Sequence, residues 1–118
     1  MAHGYLTTHI LDTANGCPAA NVTIELYKLG SSRQLLVTTI TNSDGRTDKP
    51  LLDKSQFSTG RYELVFYVAE YFSAKGTQTD PIPFLDEVVL RFGIAQGEEH
   101  YHVPLLVSPY SYSTYRGS

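Results

Sequence analysis

Tyr5-Leu6-Thr7-Thr8-His9-Ile10-Leu11 is the stretch whose reading decides the fold. Tyr5, Thr7, His9 and Leu11 alternate with Leu6, Thr8 and Ile10, and a period of two places the two sets on opposite faces of a β-strand. Ala14-Asn15-Gly16-Cys17-Pro18 then supplies turn residues. The same pattern recurs along the chain. Val22, Ile24 and Leu26 alternate with Thr23, Glu25 and Tyr27, and Leu35 to Thr41 forms a third segment after Gly30-Ser31-Ser32. Asn42-Ser43-Asp44-Gly45 is a strong turn, because Asn and Asp bond their own backbone and Gly accepts positive φ. Arg46 is held just beyond it.

In Arg61 to Val68 the residues Tyr62, Leu64, Phe66 and Val68 share a face. Ala69 to Lys75 loses the period of two before a Gly, which predicts one short helix. Thr77 to Phe84 reads as loop. Asp86 to Ile94, Glu99 to Val107 and Tyr110 to Tyr115 complete about eight strands. Short segments rich in Val, Ile, Thr, Tyr and Phe, separated by Gly, Pro, Asn and Asp, describe an all-β domain. The expected architecture is an immunoglobulin-like sandwich of two antiparallel sheets with one small helix.

Length and composition agree with that reading. The 118 residues are expected to form one domain, 1–118. Hydrophobic residues make up 42% and charged residues 18%, too apolar and too weakly charged for a disordered chain. A net charge of −3 leaves no basic excess with which to release counterions from phosphates, so nucleic acid is not an expected partner. One cysteine, Cys17, forms no intrachain disulfide, and Asn21-Val22-Thr23 matters as a glycosylation signal only in a secreted protein. The start lacks a charged region followed by an apolar stretch, and the longest apolar run, Leu64 to Ala69, is far short of the ~20 residues that span a membrane. A reducing, cytoplasmic location without membrane attachment is the expectation.

The chemistry rests on histidines. His100 and His102 are two apart on a strand and project from one face, where they could chelate a metal with His9 or His3. Paired histidines also perform acid–base work near neutral pH, and a wet sheet face produces the same spacing with no function at all. Arg46 after its turn is either solvated or a fork aimed at a carbonyl or an anionic heterocycle. The ending Ser108 to Ser118 alternates three tyrosines, as an edge strand stacking aromatics or as a docked tail. No Gly-x-Ser-x-Gly elbow, Gly-rich phosphate loop or His-Glu-x-x-His is present, and no carboxylate pair supports a glycosidase. Cys17 has no nearby cation in sequence and reads as an inert thiol.

Leu6-Thr-Thr-His-Ile-Leu-Asp-Thr13, Gly16-Cys-Pro-Ala19, Thr41-Asn-Ser-Asp-Gly-Arg46, His100-Tyr-His-Val-Pro-Leu-Leu106 and Ser113-Thr-Tyr-Arg-Gly-Ser118 together resemble the transthyretin-related 5-hydroxyisourate hydrolase family. The terminal Tyr-Arg-Gly-Ser is the most specific segment, since the hormone carrier transthyretin shares the preceding residues but not this tetrapeptide. The resemblance implies a transthyretin-like sandwich that forms a homotetramer, a dimer of dimers, with sites at the dimer–dimer interface. It implies hydrolysis of 5-hydroxyisourate to 2-oxo-4-hydroxy-4-carboxy-5-ureidoimidazoline with no cofactor and no metal. By motif position the catalytic residues fall on His9, Arg46, His102 and Ser118, and the substrate-binding residues on His9, Arg46, Tyr115, Arg116 and Gly117. Either His9 or His102 can be the general base, and the part played by His100 stays open. Two rivals stand beside this reading. One is a carrier of thyroid hormone or another flat aromatic ligand; the other is a zinc hydrolase built on His9, His100 and His102.

Overall fold

A computed structural model describes residues 4–77 and 79–118, so His3 lies outside the described residues. The described residues form β1 (Leu6–Asp12), β2 (Cys17–Pro18), β3 (Thr23–Leu29), β4 (Arg33–Ile40), β5 (Gly60–Phe66), α1 (Val68–Lys75), β6 (Val88–Ile94), β7 (Tyr101–Ser108) and β8 (Ser111–Thr114). They assemble into two four-stranded sheets, ordered β2-β1-β7-β8 and β4-β3-β5-β6. The sandwich with one short helix is therefore the observed architecture, and the alternating segments lie within two residues of the strands they foretold.

Two features differ from the sequence reading. Cys17–Pro18, placed in a turn, is a two-residue edge strand: the chain reverses at Gly16, whose φ is 67°, and pairs Leu11 with Pro18 and Asp12 with Cys17. Proline is tolerated there because an edge strand can leave one side unbonded. The second difference is direction. Every ladder is antiparallel except that of β1 with β7, which runs parallel from Leu6↔Tyr101 to Asp12↔Val107. A parallel pair needs a long crossover, and here the whole second sheet and α1 supply it.

The core follows from the period of two. Leu6 and Ile10 of β1, Ile24 and Leu26 of β3, Leu64 and Phe66 of β5, Leu90 of β6 and Leu105 of β7 are buried between the sheets. On β1 the complementary set, Thr7, His9 and Leu11, is half-buried on the outer face. Helix α1 packs Val68, Tyr71 and Phe72 inward and ends at Gly76, which has φ 78°. The Gly76 and Thr77 amides donate to the Ser73 and Phe72 carbonyls, a Schellman closure. Across the second sheet Glu63, 2% exposed, accepts from Arg33 and Arg91. Burial pushes its carboxyl up, but the hydrogen bonds and charges of the two guanidinium groups outweigh this and hold it below the usual carboxylate range.

Candidate active site

His9 and His102 come together because β1 and β7 are neighbours with matched outer faces. The register sets Thr7 beside His102 and His9 beside Pro104. The two imidazoles lie nearly parallel, 20° apart in plane, with centroids 6.3 Å apart. Arg46 reaches them through its turn. Asn42 Oδ1 accepts from the Asp44 and Arg46 amides, at 2.9 and 3.2 Å. Gly45 takes φ 73° and its carbonyl accepts from the Ile10 amide at 2.9 Å. A Cβ on Gly45 would stand 2.5 Å from the Ile10 carbonyl oxygen, so both the conformation and the close approach require glycine here. The result is a single bridge that places Arg46 opposite His9.

Burial and, after it, the Arg46 charge hold the His9 imidazole below its ordinary value. His102 is lowered by burial first, then by Arg46, His9 and His100. Both rings are thus neutral at pH 7, the form that accepts a proton. Beside them a hollow of about 140 Å³ is lined by Thr7, Thr8, Arg46 and the segment Thr47, Asp48, Lys49 and Pro50.

The tail meets this group at one point. His102 and Gly117 exchange two backbone hydrogen bonds, at 3.2 and 2.7 Å. A Cβ on Gly117 would begin 3.3 Å from the His102 ring, so the small residue lets the backbone lie against it. Ser118 follows one residue beyond. The β7–β8 register continues from Leu105↔Thr114 to His102↔Gly117, which sets Tyr115 opposite Pro104. Proline has no N–H to donate, so the ladder is interrupted there.

The register thus sets Tyr115 on the outer face with Pro104 and His102, whereas Arg116 turns to the other face within this chain. Arg116 donates to Glu99 at 2.8 Å and lies 4.2 Å over the Tyr101 ring, on the opposite pleat of β7 from His102. Both residues border a cavity of about 300 Å³ shared with β6. His100 joins the histidines: its Nε2 lies 3.0 Å from Thr7 Oγ1, which is also 2.8 Å from His102 Nδ1. Thr7 was missed in the sequence, although its place two residues before His9 on one strand face was the available signal. Among the described residues no three His, Cys, Asp or Glu side chains converge as a metal-binding group. No helix among them is long and apolar enough to cross a membrane.

The sequence profile of the HIUase/transthyretin family matches residues 6–117. The chain is 57% identical over 116 residues to the 5-hydroxyisourate hydrolase of Pseudomonas aeruginosa, covering 98% of this chain and 92% of that one. Its fold is similar to (S)-allantoin synthase, with a TM-score of 0.94 and 51% identity. That match covers 99% of this chain and 44% of the synthase. It is also similar to sea bream transthyretin in complex with thyroxine, with a TM-score of 0.85, 29% identity, and coverage of 95% of this chain and 93% of that one.

Proposed function

Because the chain belongs to the HIUase/transthyretin family, we infer that it is a hydrolase that opens the ring of 5-hydroxyisourate in the degradation of urate. The observation that carries the reading at the level of residues is the convergence of two neutral imidazoles and one guanidinium on one sheet face. Opening a cyclic amide requires a water to lose a proton as it attacks the carbonyl. A neutral imidazole takes that proton, an effect typically worth ~10²- to 10⁴-fold. His102 is the base in our reading, since the Thr7 hydroxyl holds its Nδ1 and the Gly117 backbone lies against its ring. His9 binds and orients the substrate beside it. Arg46, with no side-chain partner in the described residues, donates to the carbonyl oxygen as negative charge develops, a role typically worth ~10²- to 10³-fold. The product is 2-oxo-4-hydroxy-4-carboxy-5-ureidoimidazoline.

Gly117 and Ser118 complete the floor beside His102, and Tyr115 and Arg116 shape the pocket when chains assemble as a homotetramer, a dimer of dimers. Two observations support assembly. The histidine face is an open sheet surface in one chain, and β6 and β8 are both sheet edges bordering one cavity. Residues 1–118 act as a single catalytic domain in the cytoplasm, where the half-buried thiol of Cys17 stays reduced. A carrier of a flat hydrophobic hormone gains nothing from clustered imidazoles and guanidinium. In a zinc site on His100 and His102, Thr7 would compete for a nitrogen of each ring.

The test generates 5-hydroxyisourate in place from urate and urate oxidase and follows its ultraviolet decay with and without the protein, then with a chelator. Faster decay that survives chelation is expected. Decay at the spontaneous rate with folded protein overturns the hydrolase reading, and loss on chelation with recovery on adding Zn²⁺ overturns the metal-free mechanism.

A further inference from the structure

We propose that Thr7 and His100 form a relay behind His102, with Thr7 as the positioning residue through which the Nδ1 proton of His102 is handed toward His100 as the attacking water gives its own proton to His102 Nε2. The proposal rests on the reading of His102 as the base and extends it. Its observation is the hydroxyl bridge: one Thr7 oxygen lies 2.8 Å from His102 Nδ1 and 3.0 Å from His100 Nε2. A hydroxyl has one proton, so it donates to one ring and accepts from the other. The tautomers of the two rings are therefore opposed. When His102 carries its proton on Nδ1, that N–H donates to Thr7, Thr7 donates to His100 Nε2, and His102 Nε2 is a free base. When the bridge is reversed, His102 carries its proton on Nε2 and is an acid. In both states Nε2 is the atom left for the substrate.

The groups around the relay are placed to make it directional. Burial first, and then the charge of Arg46, disfavour a second proton on His102. His100 stands on the far side of Thr7, its ring 4.3 Å from Tyr5. Its carbonyl accepts from Arg116, which is itself paired with Glu99. In the forward step water adds to the carbonyl carbon and gives its proton to His102 Nε2. The Nδ1 proton moves to Thr7, and the Thr7 proton moves to His100 Nε2. His102 is then neutral again, with a proton on Nε2, and His100 holds the positive charge opposite the oxyanion. On collapse the carbon–nitrogen bond breaks and the departing nitrogen takes the Nε2 proton of His102. The bridge runs in reverse and restores the starting tautomers, so protons and charge balance over the cycle.

Thr7 is half-buried on an outer face, so an isosteric change there spares the core. In the urate-coupled assay, Thr7→Val is expected to lower kcat about 10- to 100-fold, a share of what acid–base catalysis supplies, with KM changed less than about threefold. Thr7→Ser restores the hydroxyl and is expected to recover most of the rate. His100→Gln lowers kcat and moves the acid limb of its pH profile upward, because a neighbouring positive charge that disfavours protonated His102 is gone. Native kcat and an unshifted profile in both Thr7→Val and His100→Gln, while His102→Gln is inactive, overturns the relay and leaves the base assignment standing. A Thr7→Val loss that Thr7→Ser does not repair also overturns it. Native kcat in His102→Gln overturns the underlying reading instead.

Discussion

His102 is fixed from three sides, by the Thr7 hydroxyl at Nδ1, the His9 ring in front and the Gly117 backbone against its edge. His102→Ala is accordingly expected to reduce kcat by ~10²- to 10⁴-fold with a smaller change in KM, measured in the urate-coupled assay. The pH profile follows from the sign of the shifts. Burial and then Arg46 lower the imidazoles, so the neutral base persists below the ordinary 6.5, and kcat/KM is expected to fall only at a lower pH. Arg46→Gln removes one of those causes, and its acid limb should move toward higher pH even as the rate drops. Strand alternation and turn chemistry are local, so the sequence showed the face that carries His9, the face that carries His102 and the turn that holds Arg46, while the choice of these three as site residues came from the motif resemblance. Thr7's role and the direction of Arg116 were not legible in the sequence. Each depends on which residue of β7 lies alongside a distant strand, and a one-residue change in register exchanges the two faces.

At the scale of elements, the Asn42–Gly45 turn carries Arg46 and is the most exacting joint. Gly45→Ala meets both a left-handed backbone and the Ile10 carbonyl, so a loss of about 1–3 kcal/mol in unfolding free energy and reduced activity are expected. Gly16→Ala has the same sign of φ but nothing within 4 Å, and about 1–2 kcal/mol with unchanged kcat is its expected cost by the same denaturant titration. In the second sheet, Glu63→Gln leaves Arg33 and Arg91 facing an amide and should cost about 1–3 kcal/mol at pH 7. The Glu63 carboxyl is lowered in the fold, so its contribution is present above the unfolded carboxylate value and is lost as pH falls through the folded one. Native and Glu63→Gln melting curves should therefore converge in acid. The turn was readable from four residues, whereas the Cys17–Pro18 strand and the parallel ladder were not. A two-residue strand has no period, and strand direction is set by the route of the whole chain.

For the whole molecule, the edges of β6 and β8 and the open histidine face lead to the expectation of a tetramer, checked by light scattering behind size-exclusion chromatography. Specific activity should fall on dilution together with the tetramer fraction, the outcome that the proposed completion of the pocket between chains requires. The parallel ladder has a further consequence in time. Thr7 and His102 are 95 residues apart in sequence and touch through one hydroxyl. Closing so long a loop costs entropy before any contact repays it, and folds dominated by such distant pairings form in about milliseconds to seconds. Nothing in the first hundred residues can make this site, because β1 meets its partner only when β7 is in place. On refolding, backbone signal should return first, the meeting of the two ends of the chain should follow, and catalysis should come back last, once chains have assembled.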